Sequence, residues 1–252
     1  MKFLIAPNAL KGSLSAIRAA EIIAEALHAV DPGCTTDIAP IADGGDGTLD
    51  CLVAATGGKT ISTIVHGPVE AMSVEARWGV LGDGSTTAIE MAETAGLRLL
   101  TADRYDVANA TTFGVGQLMF AACTAGYKKI VVGLGGSATN DGGAGCAAAL
   151  GVRFLDSDGN DLPPGGGSLA RLHAIETKNF EPRMREVQVI GLTDVTNVLC
   201  GPEGATRTFA PQKGGTPDLI PLLDRALEKY ASIIKRDLGM DVTSVPGGGA
   251  AG

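Results

Sequence analysis

The sequence predicts an α/β fold, a parallel sheet unit followed by a mixed α/β portion. Three observations carry this. The first 57 residues read as strand, loop and helix twice over, the pattern of a parallel sheet with crossover helices. Residues 59–90 alternate in polarity more than they run apolar, which marks antiparallel strands. Glycine, 36 residues in all, gathers in discrete clusters, as several tight backbone loops require.

The elements follow in order. "KFLIA" (2–6) is a short apolar strand, and the loop "PNALKGS" follows it. "SAIRAAEIIAEALHAV" puts Ile17, Ala20, Ile23, Ala24, Leu27 and Val30 on one helical face, with Ser15 as the N-cap, and "DPG" stops it. "TTDIAPIA" (35–42) is a second strand, "DGGDGT" (43–48) a glycine loop, and "LDCLVAATGG" a helix closed by Gly57. "KTISTIVHG", "MSVEARWGV" and "TTAIEMA" form a small meander, with "LGDGST" as a hairpin turn. A helix around 112–125 and the strand "KKIVVGL" lead into "GGSATNDGGAG"; "VRFLDSDGNDL" and "VQVIGLTD" add strands. In "TPDLIPLLDRALEKYASIIKRDLG", Thr216 caps a helix and Pro217 takes its first position. Leu219, Leu222, Leu223, Ala226, Leu227, Tyr230, Ile233 and Ile234 are expected on its core face.

Composition excludes several functions. A net charge of −8 with no block of Lys and Arg argues against nucleic acid as a partner. No apolar run approaches the ~20 residues of a membrane helix. The N-terminal apolar core is too short for a signal peptide, and five scattered cysteines form no CxxC pair, so reduced thiols and a cytoplasmic location are expected. His28, His66 and His173 lie outside every motif and are expected to ligate nothing. "DSDGND" (156–161) has Asp161 and Gly167 where a calcium loop needs Gly and Glu, so a hairpin turn is expected there.

The chemistry is expected in the glycine loops. A loop running from a strand into a helix start can aim several N–H groups at one anion. Gly133, Gly135, Gly136, Gly142, Gly143 and Gly145 around such a turn fit a phosphate cradle, and Ser137, Thr139 and Asn140 can donate further hydrogen bonds. Asp141 repels a bare phosphate, so it fits there only beside Mg²⁺ or as acceptor of a hydroxyl proton, the alternative being a helix cap. Asp43 and Asp46 flank Gly44 and Gly45 in a second loop, Lys11 and Ser13 follow the first strand, and Asp194 and Asn197 follow a later one. Gln212 and Lys213 sit on a glycine turn. Were the strands parallel, these loops would converge beyond their carboxyl ends. Acids for Mg²⁺, lysines for charge and amides for phosphate oxygens are the parts of phosphoryl transfer.

The motifs "IAPNALKGSLSA", "ADGGDGT", "VAATGG", "GLGGSATNDGGAG", "DVTN…LCGPEGA", "PQKGG" and "VPGGGAAG" occur in the order found in bacterial type 1 glycerate kinases, which the whole chain resembles. The resemblance implies ATP-dependent phosphorylation of D-glycerate, generally at the 2-hydroxyl, with ATP and Mg²⁺. It implies a two-domain fold with the active site between the domains: a flavodoxin-like, Rossmann-like parallel domain and a mixed α/β domain. Residues 1–65 correspond to the first piece of the discontinuous parallel domain, 66–240 to the middle domain, and 241–252 to the start of the return segment. Family members continue beyond this point through a further third containing a "TGEGRxD" motif, so the parallel domain is expected to be incomplete here. Such an open sheet edge favours instability or a partner. Local departures include Asn8 where the family has Asp, and Asp46 where it has Glu.

On this resemblance Asp141, Asp43 and Lys11 are the expected catalytic residues. Ser13, Gly44, Gly45, Gly135, Gly136, Ser137, Thr139, Asn140 and Lys213 are expected to bind substrate or phosphate, and Asp194 the metal. D-glycerate is the expected small-molecule partner, with a homo-oligomer possible. The alternative is a truncated, catalytically inactive glycerate kinase remnant or partner-binding module.

Overall fold

The computed structural model describes residues 1–10 and 12–252. Lys11 lies outside the described residues. The first layer is β1 (Lys2–Ile5), α1 (Ala16–Val30) and β2 (Thr35–Ile38), and α2 (Thr48–Thr56) follows it. β1 and β2 pair in parallel, Phe3 opposite Thr36. Ser15 caps α1 as expected, its Oγ accepting from Arg18 N at 3.1 Å. Gly57, at φ +68°, closes α2.

β3 (Lys59–His66), β4 (Ser73–Val80), β5 (Thr86–Glu90), β6 (Lys129–Gly133) and β9 (Gln188–Leu192) form a five-stranded sheet in the order β3-β4-β5-β6-β9. The first three pair antiparallel, and the last three parallel, with Ile89 opposite Val132 and Val132 opposite Gly191. β3, whose residues the sequence reading gave almost wholly to the first piece of chain, therefore belongs to this sheet. α3 (Ala92–Ala95), α4 (Phe113–Thr124) and α5 (Ala144–Ala149) follow its strands. A hairpin of β7 (Arg153–Leu155) and β8 (Ala174–Glu176), together with α6 (Ala205–Phe209) and α7 (Ile220–Leu238), completes the structure. The expected turn at 156–161 is there: Asp156 accepts from the amides of Asp158 and Asn160, each at 2.9 Å.

The main core lies on the five-stranded sheet, where Val65, Trp78, Ile89, Leu118, Ile130 and Val132 meet. A second core joins α7 to the hairpin through Phe154, Leu169, Leu172, Leu227, Tyr230 and Ile234. Each fully buried Leu or Ile contributes about 1.5–3 kcal/mol. The first layer is poorer: Ile5, Ala20 and Ala24 are its buried centre.

Two expectations about helix faces change. On α1 the buried residues are Ala16, Ala19, Ala20 and Ala24, while Ile23 is 42% and Val30 87% exposed. The helix has an apolar stripe, but it packs mainly along its alanine edge, with Leu27 partly buried beside it. α7 begins at Ile220, with Pro221 rather than Pro217 in its first turn. Thr216 holds the preceding turn, its Oγ1 accepting from Leu219 N at 3.3 Å. Leu222, expected in the core, is 54% exposed. The predicted strand 35–42 shortens to four residues, since Pro40 cannot donate to a ladder.

Candidate active site

Two glycine loops from different sheets meet backbone to backbone. One follows β2 and carries Asp43–Gly47; the other follows β6 and runs into α5. Gly135 N donates to Gly44 O at 2.8 Å. A Cβ on Gly135 would lie 2.6 Å from Gly45 Cα, and one on Gly44, at φ +90°, would lie 2.5 Å from Leu192 O. Both positions therefore require glycine, because a side chain on Gly135 would part the loops and one on Gly44 would strike the end of β9.

The contact brings the loop side chains onto one cleft with two lobes. The first lobe, about 400 Å³, is lined by Asp43, Gly45, Asp46, Gly135, Gly136, Ser137, Thr193, Asp194, Gln212 and Lys213, with Ala250 and Ala251. The second, about 360 Å³, is lined by Asn8, Ser13, Asp43, Asp46, Asp50, Arg77, Glu90, Glu93 and Arg98. Asp43 and Asp46 line both, so the lobes adjoin. The walls are the carboxyl ends of β5, β6 and β9 and the loops beyond β1 and β2, where parallel sheets hold ligands. A larger concavity of about 560 Å³ between the β7–β8 hairpin and α7 shares none of these residues.

Lys213 is buried in the first lobe's wall. Its Nζ donates to Ser137 Oγ at 2.8 Å, Thr139 O at 2.6 Å and Ala251 O at 3.0 Å. Burial pulls its pKa down to about 7, against the charge of Asp141. Three acceptors match the three N–H bonds of an ammonium, so the geometry holds the charged form. Lys213 thus ties the turn after α6, the glycine loop and the segment 247–252 to one atom. Asp43 accepts from Asn8 Nδ2 at 2.8 Å and from Gly45 N at 2.9 Å.

The second lobe holds an ion-pair network. Glu93 Oε1 accepts from Arg77 Nη2 at 2.8 Å and Arg98 Nη2 at 2.9 Å. Arg77 Nη1 reaches Asp50 at 2.8 Å, and Arg98 Nε reaches Asp46 at 3.2 Å. Burial works to raise the Glu93 pKa, but the bonds from Arg77 and the charge of Arg98 outweigh it and the pKa is lowered. Glu90 is also buried, and its Oε2 accepts from Gly47 N at 3.1 Å and Leu49 N at 3.0 Å.

Of the residues the sequence singled out, the structure gathers Ser13, Asp43, Gly45, Gly135, Gly136, Ser137, Asp194 and Lys213 on the cleft. It does not bring Thr139, Asn140 or Asp141 there. Asp141 is fully buried; its carboxylate accepts from Thr112 N at 2.8 Å, Gly143 N at 3.1 Å and Gly145 N at 3.2 Å, and from the Thr112 hydroxyl. Its place is the cap of α5 and the clasp of the Thr111–Thr112 loop. Asn140 turns to Thr206 Oγ1 at 3.1 Å, and Thr139 Oγ1 to Ala251 O at 3.3 Å. Gly44 is spent in the loop contact. Because Asp141, Gly44 and Gly252 take the amides of Gly135, Gly142, Gly143 and Gly145, the cradle is smaller than the glycine count implies. The amides of Gly136 and Ser137 find no protein acceptor among the described residues.

Sequence reasoning missed Arg77, Glu90, Glu93 and Arg98. The available signal was "IEMAE", two acids at the carboxyl end of an apolar strand. The arginines give none, since Arg77 sits at an ordinary polar position of β4.

Chemically, the cleft offers free amides in one lobe and a mixed charge network in the other, joined by two aspartates. Comparison with known proteins assigns this arrangement to a family. A glycerate kinase of Bacillus subtilis (strain 168) and a glycerate 2-kinase of Escherichia coli (strain K12) are each 44% identical over 252 residues. That is 100% of this chain and 66% of each relative, so the chain spans just under two-thirds of their length. The crystal structure of a provisionally named glycerate kinase 2 from Salmonella typhimurium LT2 superposes with a TM-score of 0.88 at 43% identity, over 100% of this chain and 67% of that one. The model of the glycerate kinase family matches residues 3–252, and the chain belongs to that family.

Proposed function

We propose that the chain transfers the γ-phosphoryl group of ATP to D-glycerate, giving 2-phosphoglycerate. The observation that supports this most is the meeting of loops 43–47 and 133–137 on one cleft. Phosphoryl transfer asks little covalent chemistry of a protein and much positioning. Here the free amides of Gly136 and Ser137 suit phosphate oxygens, and Gly45 lets the chain approach closely.

Among the described residues no three metal-ligating side chains converge. Mg²⁺ needs no such cage, since one or two carboxylates with phosphate and water complete its shell. Asp194 and Asp43, both on the first lobe, fit that demand and would hold it. Bound there, the metal supplies charge neutralisation at the phosphates. Lys213 positions Ser137 and the 247–252 segment, and Asn8 orients Asp43. Ser13 lies on the acceptor lobe. The first domain, begun by 1–65 and rejoined by 241–252, and the middle domain of 66–240 are proposed as the two bodies that bound the cleft, with β3 lying on the middle domain's sheet. No helix among the described residues is long and apolar enough to cross a membrane, and all five thiols are free, which supports a cytoplasmic enzyme.

A second reading has its own observation. Leu4 is 71% and Val30 87% exposed, so the first layer leaves apolar surface uncovered. A non-catalytic module completed by a partner, or a homo-oligomer, would cover it. Size-exclusion chromatography with light scattering separates a monomer from either.

The test is ADP release from ATP, Mg²⁺ and D-glycerate by the 252-residue chain, with the product read by ³¹P NMR. The proposal expects D-glycerate-dependent ADP and the 2-phosphate resonance. No ADP from folded protein contradicts it, and a 3-phosphate signal contradicts the assigned hydroxyl.

A further inference from the structure

We propose that Glu90 takes the proton from the acceptor hydroxyl, an inference that rests on the kinase reading above. Besides Asp43, four carboxylates among the described residues line the second lobe: Asp46, Asp50, Glu90 and Glu93. Asp50 is paired with Arg77, Asp46 with Arg98, and Glu93 with both. Among the described residues Glu90 bonds to no cation. An ion-paired carboxylate is a poor base, because its partner favours the charged form. Glu90 is thus the carboxylate of this group best suited to hold a proton.

Its orientation supports the role. Glu90 ends β5 and is 2% exposed. Oε2 is fixed by the amides of Gly47 and Leu49. Among the described residues Oε1 accepts no hydrogen bond, and it is not among the polar atoms sealed away without a partner, so it reaches the cleft. The fixed oxygen sets the direction of the open one.

The surroundings agree. Burial raises the Glu90 pKa; the amides of Leu49 and Gly47 and the charge of Arg98 oppose this, and Glu93 adds to it. Asp43, Asp46 and Asp50 share the lobe, Arg77 faces it from β4, and Cys51 of α2, itself raised by burial and by Asp50 and Glu90, lies alongside. In the step, the hydroxyl O–H bond breaks as its oxygen bonds to the γ-phosphorus, and the proton goes to Glu90 Oε1. The bond from phosphorus to the β,γ-bridging oxygen breaks, and ADP leaves with that electron pair. The carboxyl then releases its proton to water in the cleft.

The competing role is purely structural, a cap on the start of α2. Glu90→Gln separates the two, because an amide oxygen still accepts both backbone N–H groups but cannot take up the proton. With the full chain, we expect E90Q to lower kcat about 10²–10⁴-fold, with KM and Tm near wild type and the acid limb of the pH–kcat profile lost. Retention of kcat within about threefold, or of the acid limb, overturns the assignment. E90D, with a shorter acid, should keep the limb at reduced kcat. If the wild-type chain releases no ADP, the kinase reading fails by itself. ¹³C NMR titration of the Glu90 carboxyl then decides Glu90 separately. A midpoint moved by D-glycerate upholds its contact with the acceptor; an unmoved midpoint overturns it.

Discussion

The two halves of the glycine segment after β6 look alike in sequence and differ in structure. In residues 133–137 the chain faces the cleft, and the amides of Gly136 and Ser137 are open. In residues 139–145 Thr139, Asn140 and Asp141 are each 1% exposed or less, and the amides of Gly142, Gly143 and Gly145 are taken by Gly252 and Asp141. Glycine density alone does not mark a ligand loop. One half is glycine-rich because a ligand and a second loop must come close, the other because a buried carboxylate gathers three backbone amides.

The strongest way to break this comparison is Asp141→Ala. It strands three buried amides and a hydroxyl, for a loss of about 3 kcal/mol or more, or roughly 6–12 °C in Tm. Calorimetry that finds Tm unchanged alongside lost turnover would return Asp141 to catalysis. Gly135→Ala should cost about 1–3 kcal/mol by forcing the loops apart, seen as a lower denaturant midpoint together with lost activity. Lys213→Met removes three hydrogen bonds from one buried atom. A similar loss of about 1–3 kcal/mol is expected, with proteolysis of the 247–252 segment quickened. Should limited proteolysis leave that segment intact, Lys213 does not tie it.

Smaller effects sharpen the contrast. Glu90 has a raised pKa in the fold, so its contribution to stability is full below the unfolded value of 4.5 and is lost as pH rises through the folded one. The Tm difference between E90Q and wild type should therefore move in favour of E90Q as pH climbs above about 4.5. A pH-independent difference would show that Glu90 titrates normally.

Much of the architecture was legible. The Ser15 cap, the Gly57 closure, the hairpin turn at Asp83 and the parallel strand β6 all follow local rules that the tertiary structure does not override. The exposed stripe of α1 was not legible, since periodicity gives the direction of a face but not whether anything packs on it. The start of α7 was missed because two prolines compete for its first turn and only tertiary contacts choose Pro221. On the cleft, Asp43, Ser137 and Lys213 were legible because each sits in a glycine loop, and Asp194 because it follows a strand. Arg77, Glu93 and Arg98 were not, because their pairing joins β4, α3 and the turn after it, which are remote in sequence terms from the loops.

The central claim, that two loops make one ligand cleft while the rest of the glycine segment is structural, is tested most directly by amide NMR during titration with ATP, Mg²⁺ and D-glycerate. The account predicts shifts at Gly45–Gly47, Gly135–Ser137 and Thr193–Val195, with Gly142, Gly143 and Gly145 unmoved. Shifts centred on 142–145, with 45–47 and 135–137 silent, would contradict it.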